Sequence, residues 1–183
     1  MNCEEIKQAK TEEENEKYKL ILEHCYNDFI NQDSRKINTD TKTSYLLVVI
    51  VFILGILFQN NLLDKIIIKD FFTKGHVEII FRILLILCYI ADLVFCIISM
   101  CFFINVLINK KYKKINTELW NVDDAENATY LEVVKGLIDN YSMATKENSQ
   151  INNAVLKGYK EGIRFLMLAV FFTVGIYLII SFF

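Results

Sequence analysis

The sequence predicts an all-α membrane protein: three transmembrane helices with a cytosolic helical bundle or coiled coil, assembled as a homo-oligomer. Three observations carry this. Long apolar runs occupy Tyr45–Leu63, Ile83–Ile108 and Phe165–Phe183. Proline is absent from all 183 residues, and since proline costs ~3 kcal/mol inside a helix, its absence suits long unbroken helices. Between the runs, apolar residues recur at spacings of three and four, as on one face of a helix.

Each apolar run reaches or approaches the ~20 residues that a helix needs to cross hydrocarbon. The expected organisation is an N-terminal helix over residues 1–43, spans over 44–63, 79–108 and 164–183, an outer loop over 64–78 and a cytosolic helical segment over 109–163. None of the polar pieces has the size of an ordinary enzyme domain. The acidic start MNCEEIKQAKTEEENEK is no signal peptide, which leaves the first span as the insertion signal. A formal net charge of -2 gives no reason to expect a nucleic-acid duplex as partner. The five cysteines form no CxxC pair, and three of them fall within the second run, so reduced thiols are expected.

Basic residues orient the chain. Arg35, Lys36 and Lys42 precede the first span, Lys110, Lys111, Lys113 and Lys114 follow the second, and Lys157, Lys160 and Arg164 precede the third. The positive-inside rule therefore puts the N-terminus and residues 109–164 in the cytosol, with the C-terminus outside. In the outer loop, Leu63, Ile66, Ile67 and Phe71 share one helical side, which reads as a short interfacial helix or as a continuation of the first span.

On the cytosolic side, Thr11 with Glu14 reads as a capping box, and Tyr18, Leu22, Cys25 and Phe29 form one apolar stripe. The polar NQDS at Asn31–Ser34 and TDT at Thr39–Thr41 suggest a break before the first span, with Thr39 or Asp40 as cap. Asp123 with Glu126 resembles another helix start. A stripe then runs through Val134, Leu137, Tyr141, Ala144, Asn148, Ile151, Val155, Gly158 and Gly162, compatible with one helix of roughly 55 residues entering the third span. Asn148 is either a register-setting residue of a coiled coil or an exposed asparagine in a loose seam.

Asp92 is the sharpest single signal. It is the lone charge between Ile83 and Ile108, and a charge at mid-membrane costs ~2.5–3.5 kcal/mol on insertion scales. Cys88, Cys96 and Ser99 share its helical face. Two readings stand: an acid facing a pore or the interior of an oligomer, or a hydrogen-bonded acid that holds helices together. Gly158 and Gly162 have the small-xxx-small spacing that permits close helix approach, and Gly55 and Gly175 offer the same within the spans. His24 and His76 are the only histidines and fall on opposite sides of the expected topology, so no metal cluster forms from them. Phosphate-cradling loops and nucleophile motifs are missing, so neither enzymatic activity nor a cofactor is expected.

At RKINTDTKTSYLLVV (Arg35–Val49) and LIDNYSMATKENSQINNAVLKGYKEGIRFLML (Leu137–Leu168) the chain resembles small bacterial defence membrane proteins of the SLATT and Pycsar-effector types, and more loosely the membrane effector of Hailong-type systems. SLATT-type domains usually have two spans, whereas this chain shows three. The resemblance implies an antiviral effector that oligomerises in the inner membrane and depolarises it under a nucleotide second messenger from a cognate nucleotidyltransferase. Tyr141, Lys146, Lys157 and Lys160 are then the candidate contacts for the anionic signal. The expected partners are membrane lipid, further copies of the chain and that nucleotide. The competing readings are a non-conducting membrane anchor whose cytosolic bundle recruits a partner, and a holin-like protein.

Overall fold

The structure is a computed structural model describing residues 3–59, 76–108, 112–115 and 128–182; for residues 3–10, 76–78 and 181–182 it describes the backbone alone. Three helices hold nearly all of these residues: α1 (Cys3–Leu57), α2 (His76–Ile108) and α3 (Tyr130–Phe182). All three are long and apolar enough to cross a membrane. The chain divides into two compact units. A polar unit comprises Met1–Asn38 with Lys110–Ala154, and an apolar unit comprises Thr39–Asn109 with Val155–Phe183.

Helix α1 has no break. It also begins before Thr11, so Thr11 and Glu14 lie inside it rather than at its cap. The reason is that its inward stripe keeps phase while changing chemistry. Tyr18, Leu22, Cys25 and Phe29 are followed at the same alternating spacing by Gln32, Lys36, Thr39 and Thr43, and then by Leu46, Ile50, Ile53 and Leu57, all buried or half-buried. The polar run that reads as a break is a polar stretch of an uninterrupted face. Thr43 Oγ1 donates to the Thr39 carbonyl at 2.8 Å and Ser44 Oγ to the Asp40 carbonyl at 3.0 Å. Such back-bonding lets hydroxyl side chains stay within a helix. At the far end, Phe58 N donates to Leu54 O, and Tyr89 of α2 donates its hydroxyl to Leu57 O at 3.3 Å. Those bonds satisfy carbonyls that a helix C-terminus otherwise leaves unpaired.

Helix α3 is a single helix of 53 residues, close to the length the stripe implies. It starts at a different box from the one the sequence suggests. Thr129 N and Oγ1 both donate to Glu132 Oε2, at 2.9 and 2.8 Å, while Glu132 N donates to Thr129 Oγ1 at 3.4 Å. This is a reciprocal capping box. Asp123 and Glu126 lie outside the described residues, as does the amphipathic stretch of the outer loop from Leu63 to Phe71.

In the apolar unit the three helices interlock along heptad-spaced stripes. On α2 the buried positions are Leu85, Tyr89, Asp92, Cys96, Ser99, Phe103 and Val106; on α3 they are Val155, Tyr159, Gly162, Leu166, Ala169, Thr173 and Ile176, with Tyr159 and Thr173 half-buried. Alternation of three and four is the spacing of knobs-into-holes packing. The outward faces are large and apolar: Val48 and Phe52 are 67% exposed and Phe171 72%. In water such surface would be costly, whereas against lipid it is neutral. Lipid also removes the hydrophobic drive between helices, leaving close packing and interhelical hydrogen bonds to hold the unit together.

Candidate functional sites

Two constellations stand out, one in each unit. The apolar unit buries a polar cluster around Asp92, which is fully enclosed within a single chain. Thr173 of α3 places its hydroxyl 2.7 Å from Asp92 Oδ2, and Cys96 Sγ lies 3.8 Å from Oδ1. The Thr173 oxygen is also 3.0 Å from the Ala169 carbonyl. One hydroxyl proton cannot serve both acceptors. A protonated Asp92 resolves the conflict by donating to Thr173 Oγ1, which leaves the threonine hydrogen for Ala169 O. A turn or two along α2, Ser99 Oγ donates to the Gly162 carbonyl at 2.8 Å, with both groups buried.

The sequence places Asp92, Cys96 and Ser99 on one face, and the structure buries all three in the α2 stripe. Cys88 is half-buried beside it, the stripe position going to Tyr89. The expectation that Asp92 faces the interior of an oligomer takes a different form here, since a single chain already sequesters the acid. Thr173 is the partner that reading the sequence missed. Its signal was available, because it continues the spacing of Gly162, Leu166 and Ala169 and is the one hydroxyl of the stripe in an apolar run.

The four glycines divide. A Cβ at Gly162 would lie 2.5 Å from Phe103 Cε1 and 2.8 Å from Cδ1, and one at Gly158 would lie 3.2 Å from Val106 Cγ2. These two mark the close approach of α2 and α3. Among the described residues nothing lies within 4 Å of a Cβ at Gly55 or Gly175, so neither marks a close approach there.

In the polar unit, Asn148 is fully buried, which sets aside the exposed asparagine of a loose seam. Its amide grips the segment at residues 112–115: Lys113 N donates to Asn148 Oδ1 at 3.0 Å, and Asn148 Nδ2 donates to Lys113 O at 3.2 Å. An amide group has one acceptor and one donor in the spacing needed to pair both backbone groups of one residue. Asn152 Nδ2 and Tyr112 Oη both donate to the Gln32 carbonyl, at 2.9 and 2.7 Å, and Lys113 Nζ pairs with Glu147 at 2.7 Å. Lys36 sits 4.9 Å over the Tyr112 ring. These contacts strap the segment between α1 and α3.

Of the candidate anion contacts, Tyr141 and Lys146 lie in the polar unit and Lys157 and Lys160 in the apolar unit. Tyr141 is half-buried and turns its ring edge-on to Tyr26 and Phe29, at centroid distances of 5.6 and 5.7 Å. Lys146 lines a groove in that same unit. Lys157 and Lys160 are exposed and belong to the apolar unit. No group of three or more His, Cys, Asp or Glu side chains with metal-binding geometry occurs among the described residues. His24 stands 3.6 Å from Asp28 on the same helix.

No protein-family model, curated protein or solved structure matches the chain. The likeness of Arg35–Val49 and Leu137–Leu168 to defence effectors therefore rests on those residues alone.

Proposed function

We propose that the protein is a homo-oligomeric membrane effector whose action is to permeabilise or depolarise a bacterial inner membrane, and that the state described is its closed form. The observation that carries the reading is the carboxyl of Asp92, sealed from solvent and lipid against Thr173 inside an otherwise apolar unit. An acid in hydrocarbon is costly on every scale, and ionisable residues inside spans are found along ion pathways and proton relays. In the closed form the acid is neutral and hydrogen-bonded. Opening would part α2 from α3, hydrate Asp92 and expose Ser99 and Thr173 to the same path. The cytosolic N-terminus and external C-terminus follow from the basic residues. The defence setting, the nucleotide second messenger and its nucleotidyltransferase come from the resemblance.

The enclosure of Asp92 within one chain also favours a second reading, a non-conducting anchor in which the acid fastens α2 to α3 and the polar unit recruits a partner. Membrane potential measured in cells at matched expression separates the two. The effector reading expects the wild-type chain to depolarise the membrane, Asp92→Leu to weaken that effect, and Asp92→Asn to alter ion preference. Absence of depolarisation by the wild-type chain at any expression level, with the protein folded and in the membrane, would refute it and leave the anchor.

A further inference from the structure

We infer that the groove between α1 and α3 in the polar unit binds a compact phosphate-bearing zwitterion, its phosphate on the α3 wall and its ammonium beside Asp28. The groove has a volume of about 370 Å³ and is lined by Cys25, Asp28 and Gln32 from α1 and by Ser142, Thr145, Lys146 and Ser149 from α3. Every one of these side chains is polar or a thiol. That volume is at the low end of small-molecule pockets, which run ~300–1,000 Å³.

The two walls differ in chemistry. On α3 the spacing of Ser142, Thr145, Lys146 and Ser149 puts three hydroxyls and one ammonium on a single face over two turns. Four donors so arranged suit the three acceptor oxygens of a phosphate better than the two of a carboxylate. Lys146 takes part in no ion pair among the described residues, so its charge is available. Thr145 Oγ1 is enclosed and lacks any hydrogen-bond partner, neither bonding back to its own helix nor reaching another side chain. A threonine left in that state gains a bond if a ligand oxygen enters and its side chain turns toward it.

The α1 wall presents the Asp28 carboxylate, whose near neighbour is the His24 ring at 3.6 Å. A ligand ammonium opposite the phosphate answers that carboxylate. Among the described residues no aromatic face joins the lining, and the nearby Tyr26 and Phe29 rings are packed against Tyr141. A flat nucleobase would find nothing to stack on, which makes the class compact and non-aromatic. Gln32 connects the site to the strap, since its side chain accepts from Asn152 Nδ2 at 2.9 Å while its carbonyl accepts from Tyr112. The inference is independent of whether the apolar unit conducts.

Cys25 supplies a reporter within the groove itself. Cleavage after Lys19 and Arg35 releases Leu20–Arg35, a peptide with Cys25 as its sole cysteine. Maleimide labelling of the full chain in detergent is followed on that peptide by mass spectrometry, with O-phosphoethanolamine, inorganic phosphate or sodium chloride of equal ionic strength as probes. O-phosphoethanolamine is expected to slow labelling several-fold, inorganic phosphate less, and sodium chloride not at all. Lys146→Ala should abolish protection by both phosphates. Asp28→Asn should remove only the advantage of O-phosphoethanolamine. Circular dichroism unchanged from wild type shows that each variant folds. A parallel labelling in nanodiscs of phosphatidylethanolamine or phosphatidylglycerol distinguishes sources: protection by the soluble compound assigns a free metabolite, and protection only in phosphatidylethanolamine assigns a lipid headgroup. Equal labelling of Cys25 under all these conditions, or protection that survives Lys146→Ala, overturns the inference.

Discussion

Alanine at Gly162 and at Gly175 should change stability in opposite directions. Both glycines lie in the part of α3 that belongs to the apolar unit, and in each case alanine removes backbone freedom from the unfolded chain and favours the helix, by about 1 kcal/mol in water. At Gly175 the new methyl meets nothing within 4 Å, so that gain stands alone. At Gly162 it would sit 2.5 to 3.0 Å from three atoms of the Phe103 ring. Phe103 is fully buried and has Tyr159 at 6.1 Å between centroids, so the ring cannot step aside without disturbing the contact between α2 and α3. Overpacking of this kind costs ~1–3 kcal/mol. Set against the helix gain, Gly162→Ala should come out destabilising by up to about 2 kcal/mol, and the bond from Ser99 to the Gly162 carbonyl should lengthen as the helices part. Detergent-unfolding titrations in mixed micelles measure both variants on one scale. Phe103→Leu in the Gly162→Ala background should recover part of the loss, since the two sites are in contact. Gly162→Ala as stable as Gly175→Ala would show that α2 and α3 do not approach closely at this point.

Removing the Asn148 amide with Asn148→Ala deletes two bonds to the Lys113 backbone, about 1–3 kcal/mol at 0.5–1.5 each; the Lys113 amide should then exchange hydrogen roughly 5- to 150-fold faster, and unchanged exchange would dismiss the clamp. The two Thr129 donors, backbone first, hold Glu132 below the usual carboxylate range, so the helix-start stability they supply is present above the ordinary glutamate value of ~4.3 and is lost as pH falls through the lower folded value. Amide exchange in the first turn of α3 should accelerate on acidification through that window, and Glu132→Gln should flatten the dependence. Thr173→Val takes away the hydroxyl to which Asp92 is hydrogen-bonded and should destabilise the apolar unit by about 0.6–1.7 kcal/mol, the range for interhelical hydrogen bonds in membranes, whereas Thr173→Ser should be close to neutral; equal loss in both variants would point to packing rather than the hydroxyl.

Helix existence was legible from the sequence because apolar runs and proline-free stripes are local signals, and the stripe from Val134 to Gly162 appears as buried or half-buried positions along one helix. The apparent break at Asn31–Thr41 misled because residue type was weighed above phase. Gln32, Lys36 and Thr39 keep the spacing of the stripe while losing its hydrophobicity, and hydrophobicity is what marks a stripe by eye. Thr129 and Glu132 carry the same T-x-x-E pattern as a recognisable capping box, yet lay beyond the start that Asp123 suggested. The partners of Asp92 and Asn148 could not be read at all. Thr173 is 81 residues from Asp92, and Lys113 is 35 from Asn148, so only the packing of separate segments brings them together.

Those long-range polar contacts have a common consequence for uniqueness. Heptad stripes made only of apolar residues fit one another almost equally well after a slide of one repeat. In the apolar unit such a slide would bring Asp92 opposite Leu166 or Ile180 in place of Thr173, and Phe103 opposite Val155 or Ala169 in place of Gly162. The first change leaves a buried carboxyl without its hydroxyl partner, and the second drives an aromatic ring into a side chain where none stood before. In the polar unit, Asn152 moved by one repeat would leave Gln32 facing Thr145 or Tyr159, and Asn148 would release Lys113. Each mismatch costs on the order of 1–3 kcal/mol, and within a unit they fall together. The polar and small residues within the stripes thus act as pins, selecting one register from several that hydrophobic spacing alone would allow. That requirement is met by the contact Asp92 makes, whether or not the acid also meets an ion.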